Sequence, residues 1–391
     1  MTRTPPHLAT LVVMTALTVL TLNMFLPALP TMQADFGVSK ATMGLAISGY
    51  MLCAAFFQLL LGPLSDRIGR RPVMLGALGI YVVASVICLV TSRIDVFLVA
   101  RAAQAVAVAG GVISSAVVRD LYEGRAAAAK LGVIAAAMSI APMLAPVLGG
   151  VLDVTLGWRA IFASYSVLGL ALLALVWVDL GETRQPRTGP GLLARIGVLL
   201  RAPLYWAYVV CIGFGVGAFY IFLVGAPFVA AQVYGLGSGM IGVGLGSITG
   251  GFMLGALVSS RSVARIGTMP LILLGRVLPL GALLLALGFF ALGQGGIWLL
   301  FGATICVGIG NGLSIPNANA GALSVVPEVA GTAAGVTGAV MLLIGALLST
   351  LTTALLAEAP TPERLLIIMV TAVAVSLGAA LVARRLDVTC A

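Results

Sequence analysis

Charge is scarce in this chain. Lys, Arg, Asp and Glu make up only 8% of its 391 residues, against roughly 25% in soluble globular proteins. Hydrophobic residues supply 61%, and the mean hydropathy is +1.17. A soluble core cannot hide that much apolar surface, and a single membrane anchor uses only about 20 residues, so many membrane spans are required. Histidine is almost absent. His7 alone, in the polar leader, leaves nothing inside the spans for a histidine-based metal site or nucleophile relay. Cysteine is sparse and scattered: Cys53, Cys88, Cys211, Cys306 and Cys390 are odd in number with no two adjacent, which argues against a disulfide framework. Basic runs interleaved with aromatics are also missing, so the net charge of +9 does not point to nucleic acid. No cofactor or metal is expected. A membrane enzyme would need a catalytic cluster and a receptor a large outer domain, and the sequence offers neither.

What is present is a succession of twelve apolar stretches, near 8–30, 43–64, 73–91, 96–118, 129–151, 158–178, 203–231, 239–260, 270–292, 296–318, 331–356 and 364–383. The first follows a short leader and has no small-residue cleavage site, so it reads as a retained helix and not a signal peptide. Twelve spans put both termini on one side. With the termini cytoplasmic, fifteen Lys and Arg residues fall on the inner side, among them Arg3, Arg67, Arg70, Arg71, Arg119, Arg125 and Arg187, against Lys40, Arg93, Arg159 and Arg364 outside. That bias is the positive-inside signature, and it accounts for the charge.

The polar stretch 179–201, with Pro186, Gly189, Pro190 and Gly191, reads as a cytoplasmic linker between a half spanning 1–178 and a half spanning 202–391. An internal repeat supports the division. Arg67-Ile68-Gly69 with Pro72 recurs 198 residues later as Arg265-Ile266-Gly267 with Pro270, each copy between the second and third helix of its half. The expected fold is an all-α integral membrane protein of twelve transmembrane helices in two six-helix, pseudo-symmetric halves.

The twelve acids are Asp35, Asp66, Asp95, Asp120, Glu123, Asp153, Asp179, Glu182, Glu328, Glu358, Glu363 and Asp387, and none lies at mid-membrane depth. Proton chemistry must therefore use carboxylates near helix ends, with Asp66 and Asp120 the best placed. For each alone, helix capping or pairing with neighbouring arginines is the favoured explanation. Asp66 lies where a carboxylate can meet both loop arginines and a neighbouring helix N-terminus. Arg101 lies about five residues inside the fourth helix, where an unpaired charge costs about 2.5–3.5 kcal/mol. At about 100° per residue it shares a face with Gln104, Val108, Gly111, Ser115 and Arg119, and that face is expected to line a cavity. Arg276, shallower in the ninth helix, is expected to snorkel to the surface. The fifth helix carries Pro142 and Pro146 with Gly149 and Gly150, a bent, closely packed segment. Asn23, Tyr50, Phe219, Tyr220, Asn311 and Asn317, with Arg101 and Gln104, describe a mostly apolar pocket supplied by both halves.

Gly62 to Pro72 (GPLSDRIGRRP) resembles the loop signature of the major facilitator superfamily. Arg101 to Gln104 and Pro142 to Gly150 resemble two motifs of its twelve-helix drug:proton antiporters. Val118 to Tyr122, Gly157 to Phe162, Ala226 to Val229 and Ala330 to Gly335 resemble the bicyclomycin-resistance and chloramphenicol/florfenicol exporter branch. The resemblance implies drug efflux across the bacterial inner membrane, driven by proton entry through alternating access. It also implies that Asp66 and the loop residues Gly62, Arg67, Gly69, Arg70 and Arg71 latch the inner gate, with Arg119 and Asp120 beside them. Arg101 would assist coupling, and Pro142, Pro146 and Gly149 would seal the outer path. Partners are then a small-molecule drug, protons and membrane lipid, and a monomer is expected. Close relatives carry an acid where this chain has Asn23, and a Gly where it has Ala145. Without that acid a cationic ligand lacks compensation for its lost hydration, so neutral drugs of phenicol or bicyclomycin type are expected. The rival from the same fold is a facilitator or proton-coupled transporter of a small endogenous metabolite, and the fifth-helix bend argues against it.

Overall fold

The computed structural model describes residues 6–122, 124–184, 192–357 and 359–390. Arg3, Glu123, Arg187 and Glu358 lie outside the described residues, as do Pro186, Gly189, Pro190 and Gly191 of the linker and the side chain of Arg125. The described chain is helical nearly throughout, without a strand. Its crossings are Leu8–Phe36, Lys40–Ile68, Arg70–Val90 and Ile94–Leu121, then Gly124–Leu156, Arg159–Asp179, Pro203–Tyr234, Ser238–Ile266, Thr268–Ala291, Ile297–Ser324 and Ala330–Leu355, and finally Pro362–Cys390. We number these the first to twelfth spans. Several run past the apolar stretch that announced them. The second continues from 64 to Ile68 and the tenth from 318 to Ser324, because helical hydrogen bonding persists into the polar interface after hydropathy has dropped. A short helix, Leu192–Leu200, precedes the seventh span.

The outer surface is largely apolar, and the interior combines an apolar core with buried polar side chains. Val99 and Leu156 are each 72% exposed, whereas Ser114, Thr304 and Thr352 are 0% exposed. Lipid cannot hydrogen-bond, so polar groups turn inward and helices satisfy their own backbones.

Two spans are interrupted. In the first, the α-helix stops at Asn23 and a short 3-10 turn, Leu26–Ala28, leads into Leu29–Phe36. Pro27 lacks an N–H and clashes with the preceding turn. In the fourth, a 3-10 segment covers Ala105–Val108. By contrast, the fifth span stays helical through Pro142 and Pro146. The fifth span fills the break in the first: a Cβ at Gly149 would collide with the Met24 carbonyl.

Gly69 and Gly267 join the second to the third span and the eighth to the ninth, with φ, ψ of 112°, 152° and 86°, 167°. Both positive φ values favour glycine, so the repeated Arg-Ile-Gly encodes one backbone turn used twice. At the end of the bundle opposite the termini, the fifth span packs along the eighth and the second along the eleventh.

Gly149→Ala is expected to destabilise the protein by about 1–3 kcal/mol through overpacking. Gly132→Ala, in the same span with nothing within 4 Å, is expected to be neutral or mildly stabilising. Thermal unfolding of the two purified variants makes the comparison.

Candidate functional site

Arg101 is completely buried, at 0% exposure. Its Nη1 donates to Gln104 Oε1 at 2.6 Å and its Nη2 to the Thr21 carbonyl at 3.3 Å. Thr21 lies in the last turn of the helix that Pro27 ends, where carbonyls lack helical partners and the dipole favours a cation. Tyr165 Oη donates to the same carbonyl at 3.2 Å. The guanidinium also lies 4.2 Å from the ring centre of Phe25 and 4.7 Å from that of Tyr50. A desolvated cation–π contact contributes up to about 2 kcal/mol and a charged hydrogen bond about 1.5–3 kcal/mol, so together they offset the insertion cost. Gln104 passes the network on, donating to Ser85 Oγ at 2.7 Å. Arg101 therefore stands behind the wall formed by Phe25 and Tyr50. The expected exposure to a cavity is corrected: partners on the first, second and sixth spans enclose it.

Arg101 Nε has no hydrogen-bond partner among the described residues, and two nearby residues, Asn23 and Tyr50, also carry unpartnered atoms. Asn23 Nδ2 donates to the Val19 carbonyl at 2.8 Å, but Asn23 Oδ1 and Tyr50 Oη are buried without a hydrogen-bond partner. Such orphans are uncommon and mark places where a ligand or water can bind. Tyr220 packs so closely on the eleventh span that a Cβ at Gly345 would lie 2.8 Å from its ring. Phe219 and Tyr220 have ring centres 5.7 Å apart.

In the tenth span, Asn311 and Asn317 are engaged internally. Arg276 Nη1 donates to Asn311 Oδ1 at 2.8 Å, and Asn311 Nδ2 donates to the Gly215 carbonyl at 3.0 Å. Arg276 also donates to Ser314. Its 1% exposure corrects the expected snorkelling: the seventh and tenth spans supply acceptors at its own depth, so the side chain need not reach the surface. Asn317 Nδ2 donates to Ser259 Oγ at 2.7 Å, tying the tenth span to the eighth.

At the terminal end, Arg70 is the hub. It pairs with Asp120 at 2.9 Å and with Asp66 at 2.6 Å; the side chains of Arg70 and Asp120 are each 2% exposed and that of Asp66 46%. Arg71 turns away from Asp66 and donates to the Trp177 carbonyl at 2.8 Å. The N-terminus of the third span is capped by Glu182, which accepts from the backbone N–H of Arg70 at 2.9 Å and of Arg71 at 3.3 Å. A Cβ at Gly69 would collide with that carboxylate. Arg184 holds the same turn through the Arg67 carbonyl at 2.6 Å. A Cβ at Gly62 would meet Val112 at 3.9 Å, and Arg119 is exposed. On the fifth span, the Pro142 carbonyl accepts from Thr249 Oγ1 at 3.5 Å, and the Pro146 carbonyl faces Gly242.

A sequence model of the Major Facilitator Superfamily matches residues 11–350. The chain belongs to that superfamily. It is 34% identical over 353 residues to a chloramphenicol resistance protein of Pseudomonas aeruginosa, covering 87% of this chain and 81% of that protein. It is 28% identical over 334 residues to multidrug resistance protein D of Escherichia coli strain K12, covering 84% and 83%. Inward-facing structures of a bacterial homolog of the human lysosomal transporter Spinster, unoccupied and occupied, have TM-scores of 0.74 and 0.76 at 17% and 16% identity. They cover 95% and 97% of this chain and 96% of each of theirs. At that identity they show the shared fold. Major facilitator membership makes the protein a multi-pass membrane transporter and not an enzyme.

Within this major facilitator chain, the signature loop and Asp120 assemble around Arg70, while Asn23 and Tyr50 gather near Arg101. Asn311 and Asn317 belong to a separate network around Arg276 and Ser259. Glu182 escaped the sequence analysis. The available signal was an acid standing alone beside Arg184 and Arg187 after the sixth span, but nothing local tied it to a turn 112 residues earlier.

Arg70→Ala breaks the buried Arg70–Asp120 pair and is expected to cost about 3–5 kcal/mol. Asp66→Asn, at a half-exposed carboxylate, is expected to cost under about 1 kcal/mol yet cripple transport. Unfolding and transport measured on both variants separate stability from gating; near-normal transport by Asp66→Asn would remove Asp66 from the gate.

Proposed function

We propose that this transporter exports small, mainly neutral, apolar drugs of the phenicol or bicyclomycin type across the bacterial inner membrane, driven by proton entry. Two six-helix halves, 1–178 and 202–391, alternate access to a central site, and 179–201 joins them on the cytoplasmic side. The observation that carries the reading is the charge inside the spans. Arg101 and Arg276 are buried at depth, whereas the buried acids Asp120 and Asp153 lie at span ends. A cationic drug entering such an interior loses hydration without a carboxylate to compensate, a deficit of several kcal/mol. A neutral drug needs apolar walls and a few hydrogen-bonding groups. The unpartnered Asn23 Oδ1 and Tyr50 Oη offer one acceptor and one hydroxyl, with Phe219 and Tyr220 as aromatic walls. Arg101 and Gln104 hold that wall from behind, and Asn311 and Asn317 stiffen the opposite one. The similarity to a chloramphenicol resistance protein supports the drug class.

Cytoplasmic termini follow from the distribution of Lys and Arg. The Asp66, Arg70 and Asp120 cluster then lies at the cytoplasmic gate, and we assign proton coupling to its carboxylates. The fifth and eighth spans meet in their far halves, which supports a conformation closed toward the periplasm.

Expression in efflux-deficient cells is expected to raise resistance to chloramphenicol or florfenicol, and a protonophore to abolish the reduced accumulation. Ethidium and phosphonium dyes are expected to be poor substrates, improved in Asn23→Asp. Strong export of monovalent cations by the wild type would overturn the neutral-drug reading, and unchanged resistance to every compound would overturn efflux.

A further inference from the structure

The fifth and eighth spans approach backbone to backbone at the end away from the termini. A Cβ at Gly150 would sit 2.5 Å from the Ser238 carbonyl, and one at Gly242 would sit 2.5 Å from the Pro146 carbonyl. One carboxylate closes this seam. Asp153, 9% exposed, accepts from Ser238 Oγ at 2.5 Å and from Thr31 Oγ1 at 2.9 and 3.1 Å. Ser238 opens the eighth span, so the carboxylate stands at a helix end whose N–H groups lack helical partners and whose dipole favours an anion.

Its charge has no ion-pair partner among the described residues. The other charged groups at that end of neighbouring elements are engaged elsewhere: Asp35 pairs with Arg159 at 2.8 Å, and Lys40 donates to the Ala357 carbonyl at 3.4 Å. Thr31 belongs to the first span, beside the fifth. Ser238 belongs to the eighth, so its bond to Asp153 breaks whenever the fifth and eighth spans part. A carboxylate buried without a cation gains hydration on exposure, and only Ser238 and the helix end oppose that release.

We propose that Asp153 is the latch of the outer gate, its bond to Ser238 holding the far side closed while the terminal side is open. This rests on the alternating-access reading above. The Asp153–Ser238 bond adds a positioning role to residues outside the fifth-span prolines and the Arg70 loop.

Hydrogen–deuterium exchange on the full-length chain in lipid nanodiscs tests the latch without any drug. Ser238→Ala and Asp153→Ala are expected to speed exchange across residues 236–244 by about tenfold, the shift that one charged hydrogen bond supports. Exchange at the opposite ends, 116–122 and 258–268, is expected to slow, because opening one side closes the other. Thr31→Val, which leaves the Ser238 bond in place, is expected to match the wild type. A purely structural role would speed exchange at both ends, and that result, or a Ser238→Ala profile equal to the wild type, overturns the latch. Ser238→Ala decides the matter if Asp153→Ala does not fold. A wild type that confers no resistance would sink the export reading while leaving the exchange result to stand on its own.

Discussion

A guanidinium buried in a bilayer without a carboxylate is the constraint from which much of this structure follows. Arg101 is accommodated at 0% exposure in part because the first span breaks near Pro27 and presents the Thr21 carbonyl to it. The break is possible in turn because Gly149 lets the fifth span approach the Met24 carbonyl. Phe25 and Tyr50 stack against the cation. One charge thus ties together the first, second, fourth and sixth spans, with the break in the first joining the fifth.

The same rule acts again around Arg276, where Asn311 and Ser314 take the place of a carboxylate. Ion pairs among the described residues sit at the ends of spans, as at Arg70 with Asp66 and Asp120. Depth therefore sorts the chemistry. At span ends cations meet carboxylates, whereas at depth neutral acceptors take that place.

The seams between the fifth and eighth spans and between the second and eleventh are built from small residues. Where the fifth span meets the eighth, glycines face carbonyls at Gly150 and Gly242, and where the second meets the eleventh, Gly44 faces Thr353 and Gly345 faces Met51. Surfaces of this kind pack tightly by dispersion with few hydrogen bonds, so they separate at modest cost. The Asp153–Ser238 hydrogen bond is a polar contact across the first of these seams.

Much of this was legible in the sequence. The twelve spans followed from hydropathy, because every span must be apolar over a fixed thickness. The shared turn at Gly69 and Gly267 followed from a repeat, since a positive φ needs the same residue both times. That Arg101 turns inward with Gln104 followed from helical periodicity. What the sequence could not carry was the identity of partners far apart in the chain. Arg276 looked like a snorkelling side chain because its acceptors lie 35 and 38 residues away. Glu182 looked like one more linker charge because the N–H groups it caps are more than 100 residues distant, and Asp153 looked like a span-end acid until Ser238, 85 residues on, was placed against it. Hydropathy and periodicity are local quantities that a chain displays along its own length, whereas the satisfaction of a buried polar group is decided by whichever helix tertiary packing brings alongside.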